Sequence, residues 1–250
     1  MARFSQLEFG DSLPKKGPEG EPIRKADFFY QEALKYWFAA NFELALRNFS
    51  RVLEENPSIF PAWPWQILML IELGEYPEAI VWADKALESF PEHPELLALK
   101  SLAYCRDAKL EKALAFSDNS VTKNDVTPRV WLARAEILLH RKSAVAENCI
   151  SKALSSANQN SPVIKLEAAR LLRRKHKYSS AIEHLSSVVQ AVPKSALAWY
   201  ELGCCQAKLG LSQAKASLEQ SCQFNPEWDE PRKELYRIGK RWFFRRLFGG

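Results

Sequence analysis

Apolar and small residues along this chain fall at helical spacing in short blocks. In "YPEAIVWADKALESF", residues 76–90, Ala79, Ala83 and Ala86 lie four and three positions apart, which puts them on one helical face. Pro91 cannot continue that helix and turns the chain away. The Leu-Gly pair at 73–74 ends a preceding helix, so residues 60–93 read as a helix, a turn and a second helix.

The block recurs. Taking Ala79 as anchor, a proline follows twelve positions later, and the same offset joins Ala45 to Pro57, Ala181 to Pro193 and Ala214 to Pro226. Ala113 with Asp125 and Ala146 with Asn158 fill the interval, and the six anchors are spaced 34, 34, 33, 35 and 33. A second marker runs through Pro61, Pro94, Pro128 and Pro162, spaced 33, 34 and 34, each at a predicted helix start. Thr127 and Ser161 precede two of these prolines and are expected to act as N-caps. A period near 34 with two helices per unit predicts a helical solenoid, because one such unit cannot bury its apolar face alone.

The residues on this beat resemble the tetratricopeptide repeat family. Phe29, Ala33, Tyr36, Ala45, Phe49 and Pro57 fall on its pattern, as do Trp63, Leu70, Ala79, Ala83, Ala86 and Pro91, and in the last copy Trp199, Leu202, Gly203, Ala214 and Pro226. The third copy departs at Leu97 and Ser101, the fourth keeps Trp131 but is a residue short in its internal turn, and the fifth has Lys165 at the tryptophan position. The resemblance implies an all-α fold, a right-handed helical solenoid of antiparallel helix pairs with a C-terminal capping helix. Six repeats are expected over 26–226, at about 26–59, 60–93, 94–127, 128–161, 162–195 and 196–228, with a flexible leader at 1–25 and a cap and tail at 229–250.

The last segment does not read as a cap throughout. Leu235, Ile238 and Trp242 keep helical spacing, whereas "KRWFFRRLFGG", residues 240–250, holds Lys240, Arg241, Arg245 and Arg246, no acid, and Trp242, Phe243, Phe244, Leu247 and Phe248. One packing surface cannot bury apolar residues on nearly every side of a helix. The tail is open to three readings: a cap that wraps further, a partner-docking segment, or a contact with an anionic membrane surface.

Composition narrows the class. Hydrophobic residues make up 47% and charged residues 26%, the balance of a foldable globular chain, and a net charge of +5 is too mild to imply nucleic acid. Cys105, Cys149, Cys204, Cys205 and Cys222 are odd in number and form no Cys-x-x-Cys, which fits small packing residues in a reduced, cytoplasmic setting better than a disulfide framework. No run of about twenty apolar residues and no signal-peptide core are present. His93, His140, His176 and His184 have no metal-ligand spacing, and no phosphate-binding glycine loop or nucleophile elbow occurs. No enzyme activity and no cofactor or metal are therefore expected.

The resemblance implies that helix A of each copy lines a concave groove that holds a peptide or protein segment. Mapped by offset, the inward positions are Tyr30, Leu34 and Trp37; Leu68 and Ile71; Leu102, Cys105 and Arg106; Leu132, Glu136 and Leu139; Arg170, Arg173 and Arg174; and Tyr200 and Lys208. Such a groove is apolar and aromatic at its N-terminal end and basic near "RLLRRKHK", residues 170–177. Guanidiniums grip carboxylates with two prongs, so an acidic or C-terminal segment is the expected partner near Arg170 and Arg173. The competing reading of that run is a solvated helix end complementing its dipole. The lysine–asparagine clamp that some family members use for chaperone tails is not visible at the matching positions of the first three copies, which disfavours a chaperone adaptor and leaves a different carboxylate grip open. The inward positions also do not repeat chemically, which argues against a one-base-per-repeat RNA code. The expected function is a non-enzymatic scaffold or adaptor. The alternatives are a membrane-peripheral assembly factor using Arg241, Trp242, Phe243, Phe244, Arg245 and Arg246, and self-association with the tail of one copy in the groove of another.

Overall fold

The computed structural model describes residues 21–156 and 161–248, the side chains of 21–24 and 241–248 excepted. Its helices in order are α1 (Glu21–Phe38), α2 (Phe42–Glu55), α3 (Ala62–Glu72), α4 (Tyr76–Ser89), α5 (Pro94–Arg106), α6 (Leu110–Val121), α7 (Pro128–His140), α8 (Ala146–Ser156), α9 (Pro162–Arg174), α10 (Tyr178–Ala191), α11 (Ala196–Leu209), α12 (Ala214–Phe224) and α13 (Glu230–Phe248). There is no strand among the described residues. The fold is all-α and of the helical-repeat solenoid type, with odd-numbered helices α1–α11 in the A position, even-numbered ones in the B position, and α13 after the last pair. Helix α1 already begins at Glu21, inside the stretch expected to be leader, with Pro22 in its first turn, where a missing N–H costs nothing.

Each A helix reverses into its B helix through one residue with left-handed backbone. These are Ala40 (φ 60°), Gly74 (82°), Ala108 (59°), Lys142 (54°), His176 (60°) and Gly210 (73°), spaced 34 residues apart without exception. In five of the turns the next residue's N–H reaches back to the carbonyl five positions earlier at 2.9 Å: Glu75 to Leu70, Lys109 to Tyr104, Ser143 to Leu138, Lys177 to Leu172 and Leu211 to Gln206. This closes the helix end in a Schellman arrangement and satisfies carbonyls that would otherwise be orphaned. The uneven spacing of the alanine anchors arises after this residue. Ala113 follows Ala108 by five positions, whereas Ala146 follows Lys142 by four and Ala214 follows Gly210 by four.

Small residues then set how closely A and B lie. Ala45, Ala79, Ala113, Ala146 and Ala181 are fully buried and Ala214 nearly so. At Gly203 an added Cβ would stand 2.7 Å from Leu218 Cγ, so α11 and α12 approach as closely as their backbones and Leu218 permit. Two tryptophans of the repeat pattern fasten α3 and α11 to the turn before each: Trp63 Nε1 donates to the Pro57 carbonyl and Trp199 Nε1 to the Pro193 carbonyl, both at 2.8 Å. Where Lys165 replaces tryptophan, its Nζ donates to Ser187 Oγ on α10 at 3.0 Å instead.

The chain divides into two compact units, Met1–Tyr36 with Phe42–Ala153, and Trp37–Asn41 with Leu154–Gly250. In the first, α2, α4 and α6 each pack on the next A helix, and each of these seams carries a polar link. Ser50 and Gln66 exchange hydrogen bonds between α2 and α3, Lys100 meets Asp84 at 2.5 Å between α5 and α4, and Arg134 meets Asp118 at 2.7 Å between α7 and α6. Lys100 Nζ also lies 4.2 Å from the Phe116 ring centroid. In the second, Gln206 accepts from Ser217 at 2.7 Å, and Ser221 donates to the Ala196 carbonyl at 2.8 Å. In the same unit Asn225 Nδ2 donates to the Ala39 carbonyl and Ser195 Oγ to the Phe38 carbonyl. Helix α13 packs on α12 and α11.

The N-caps follow expectation at Ser161, whose Oγ accepts from the Ile164 N–H, but not at Thr127. The Thr127 hydroxyl is turned to Glu95 on α5, donating to its Oε2 at 3.2 Å. His93 caps α5, its Nδ1 accepting from the Glu95 N–H at 3.3 Å while the ring lies 4.0 Å from that of Phe60.

Two predictions come from these turns. Left-handed backbone costs a non-glycine residue about 1–2 kcal/mol, so Ala108→Gly is expected to stabilise by a net of about 0.5–1 kcal/mol in urea unfolding after glycine's entropic cost. No change, or a loss, would mean the turn is not strained. Burial lowers the His93 pKa, with Glu95 and Asp125 pulling the other way. A depressed pKa means that protonation opposes folding. The His93 contribution is present above its ordinary value of 6.5 and is lost as pH falls through that range. Asparagine caps without titrating, so His93→Asn should lose less stability than the parent between neutral and mildly acidic pH, as read by thermal melts at matched buffers.

Candidate functional site: the inward faces of the A helices

Consecutive A helices touch one another, α3 with α5 and α5 with α7 in the first unit, and α9 with α11 in the second. Within each unit their inward positions therefore form one surface. Two networks run along it in the first unit. Trp65 stacks on Phe49 at 5.5 Å and 7° between planes, donates from Nε1 to the Tyr30 hydroxyl at 3.0 Å, and carries the Arg129 guanidinium 4.5 Å from its ring. Arg129 in turn donates to Glu95 Oε1 at 2.6 Å, so α1, α2, α3, α5 and α7 are linked. Burial raises the Tyr30 pKa, and its phenol stays protonated at neutral pH.

In the second network Arg106 lies between two carboxylates. Its Nε and Nη2 donate to Glu136 at 2.8 and 3.2 Å, and its Nη1 is 3.5 Å from Glu72. The Glu72 and Glu136 side chains are 6% and 7% exposed and that of Arg106 16%. With both carboxylates buried, the guanidinium's value lies in neutralising charge that would be costly alone.

The second unit inverts the ratio. Arg170 and Arg173 both approach Glu201, whose side chain is 3% exposed, Arg170 Nε at 3.4 Å and Arg173 by a short hydrogen bond from its Nε. Burial works against the Arg173 charge, but the Glu201 carboxylate outweighs it and holds the Arg173 pKa above its ordinary value. Beside this cluster Tyr200 meets Trp228 edge-on at 4.8 Å. Burial pushes the Cys204 and Cys205 thiols up to about 12, so both are protonated at neutral pH and sit as packing groups.

Several expected groove residues serve the interior instead. Trp37 is fully buried, and Leu68, Leu102 and Leu132 are 6%, 5% and 3% exposed, because inward positions of adjacent A helices pack on each other before they meet solvent. Ile71 and Cys105 are buried as well. Leu34, Tyr30, Leu139 and Tyr200 are half-buried, and Arg174 and Lys208 are exposed. Arg170 and Arg173, expected to meet a partner's carboxylate, already meet a carboxylate of this chain, and the inward positions Arg106 and Glu136 meet each other. The side chains of Arg241, Trp242, Phe243, Phe244, Arg245 and Arg246 lie outside the described residues.

Sequence reasoning missed Trp65, Glu72, Glu95, Arg129 and Glu201. For two of the pairs a signal was present: Glu72 and Arg106, and Glu95 and Arg129, are opposite charges 34 residues apart, at one position of consecutive repeats. Among the described residues, no group of three or more His, Cys, Asp or Glu is placed to hold a metal ion, and no helix is long and apolar enough to cross a membrane.

The family model described as Tetratricopeptide repeat matches residues 30–94 and 166–221. Among solved structures, the APC/C hetero-tetramer Cut9-Hcn1 is similar over 86% of this chain and 43% of its own, at 16% identity and a TM-score of 0.57. The human IFIT1 dimer with PPP-AAAA is similar over 86% of this chain and 56% of its own, at 20% identity and 0.55. The protein TTC0263 of Thermus thermophilus is similar over 72% of this chain and 98% of its own, at 18% and 0.53. The chain thus spans about half the length of the first and second of these, and at such identities the likeness is one of fold. No curated protein matches the sequence.

The Glu201 cluster yields a double-mutant test. Arg173→Leu should destabilise by about 3 kcal/mol in urea unfolding, since it strips a buried carboxylate of its main partner. Adding Glu201→Leu should recover at least half of that. If the two losses simply add, the pair is not coupled.

Proposed function

We propose that this chain, which belongs to the tetratricopeptide repeat family, is a non-enzymatic scaffold that holds a partner's peptide segment against the inward faces of its A helices. The fold supports a protein–protein interaction scaffold. The observation that carries the reading is the direct contact of successive A helices within each unit, which turns separate helix faces into a surface long enough for an extended segment. Cross-linked by Arg129–Glu95 and Arg106–Glu136 in the first unit and by Arg173–Glu201 in the second, each unit's surface is held in place before a ligand arrives, and preorganisation reduces the ordering cost of binding.

An acidic or C-terminal segment is the partner chemistry that best suits the second unit. Two guanidiniums converge on one carboxylate there, with exposed Arg174 and Lys208 on the same row of inward positions. Half-buried Tyr200 offers an apolar anchor in the same unit. Arg170 and Arg173 act on the partner's charge through the field around Glu201 rather than as open prongs, so variants at those two residues would confound binding with folding. Arg174 and Lys208 are the cleaner probes.

The test is peptide display on the intact chain, counter-selected on an Arg174→Glu/Lys208→Glu variant with an unchanged melting curve. The expected outcome is enrichment of segments that pair an apolar residue with Asp, Glu or a free C-terminal carboxylate, bound by the variant about tenfold or more weakly. Enriched peptides that bind both proteins equally would overturn the acidic-segment reading, and failure to enrich any peptide would overturn the scaffold reading.

A further inference from the structure

Helix α13 has one face accounted for and one not. Pro231 is buried and Glu234, Leu235 and Ile238 are half-buried on the side that packs against α12 and α11. The opposite side carries Tyr236, 64% exposed, with the Lys240 ammonium 4.8 Å from its ring, and Lys233 and Arg237 exposed to either side. The backbone stays helical to Phe248, so the register continues. At 100° per residue, positions 243, 244 and 247 return to the side of Tyr236 and Lys240, whereas position 242 returns to the side of Leu235 and Ile238. Those three positions are Phe, Phe and Leu.

The charge on this helix is one-sided along its length. Near the start, Arg232, Lys233 and Arg237 meet Asp229, Glu230 and Glu234 in exposed pairs three residues apart, of the kind that water and salt weaken readily. After Glu234 no acid follows, while Arg237, Lys240, Arg241, Arg245 and Arg246 do.

We propose that the outward face of α13 is a docking surface for an anionic lipid bilayer. Aromatic and leucine positions in one register, flanked by cations, are what a helix lying in the plane of a membrane interface requires: rings settle at headgroup depth and basic side chains reach acidic headgroups. A parallel two-fold pairing through this face would set the same run of cations against itself, whereas an anionic bilayer meets the whole run with opposite charge. The helix carries too many charges to cross a bilayer, so attachment is reversible and salt-sensitive. The proposal does not rest on the inward faces of α9 and α11, and a scaffold that binds peptides but no vesicles, or the reverse, is distinguishable by assay.

The experiment is co-sedimentation of the full chain with vesicles of phosphatidylcholine alone and of phosphatidylcholine with phosphatidylglycerol. Binding is expected only with the anionic lipid, weakening on addition of salt. Lys233→Glu/Arg237→Glu/Lys240→Glu should weaken it by about tenfold or more, and Tyr236→Ser/Phe243→Ser/Leu247→Ser should reduce it comparably. Because Lys233, Arg237 and Lys240 are exposed, the charge variant should melt like the parent; the apolar variant is assayed below its own melting range, and Phe28→Ser, an exposed aromatic in the other unit, should bind vesicles as the parent does. Three outcomes would overturn the proposal: no binding to anionic vesicles, equal binding to neutral ones, or binding that survives both triple variants. A dimer in light scattering that the apolar variant dissociates, without vesicle binding, would reassign the face to self-association.

Discussion

The constraint on which the rest of this structure depends is the reversal of each A helix into its B helix through a single left-handed residue. Ala40, Gly74, Ala108, Lys142, His176 and Gly210 hold that conformation at intervals of 34. A left-handed residue with a hydrogen bond reaching five residues back fixes the direction in which the second helix departs. Given that direction, the next contact must be between the two helices themselves, and it needs small residues there: the buried alanines and Gly203. Once A and B are that close, their remaining apolar faces are exposed along the stack, and the following hairpin covers them. The seams Ser50–Gln66, Lys100–Asp84 and Arg134–Asp118 then choose one register among the several that apolar packing would tolerate.

The same geometry produces the surface on which a function can rest. Residues at one position of successive repeats come to lie side by side, so charges of opposite sign 34 residues apart become ion pairs, as at Glu72–Arg106 and Glu95–Arg129. These pairs have two consequences. They tie the A helices into a fixed frame, and they consume charges that would otherwise be available to a partner. The inward face is therefore more rigid and less openly charged than a list of its residues implies. Under the proposed function, a ligand would meet half-buried aromatics and leucines on these faces and exposed side chains at the ends of α9 and α11.

The architecture was legible in the sequence because its signal is repeated: six alanine anchors and four prolines in step cannot arise from one helix alone. The turns themselves were not legible. Only Gly74 and Gly210 announce left-handed backbone, while Ala40, Ala108, Lys142 and His176 adopt it because the fold holds them there against their own preference. The candidate site was legible by position and misread by role. Offsets placed Arg106, Glu136, Arg170, Arg173, Leu68, Leu102 and Leu132 correctly on A helices, but a single-helix map does not show that the neighbouring helix covers them. Trp65 and Glu201 escaped notice for the complementary reason, since each matters through partners on other helices: Phe49 and Arg129 for the one, Arg170 and Arg173 for the other.

Hydrogen exchange on the full chain, with and without a saturating peptide ligand, tests the central claim most directly. If successive A helices form the binding surface, added protection should concentrate in α9 and α11, or in α3, α5 and α7, and leave α4, α6, α10 and α13 at their unliganded rates. Protection confined to the B helices or to α13 would contradict the account, because the ligand would then be bound on a surface that the A-to-A contacts do not build.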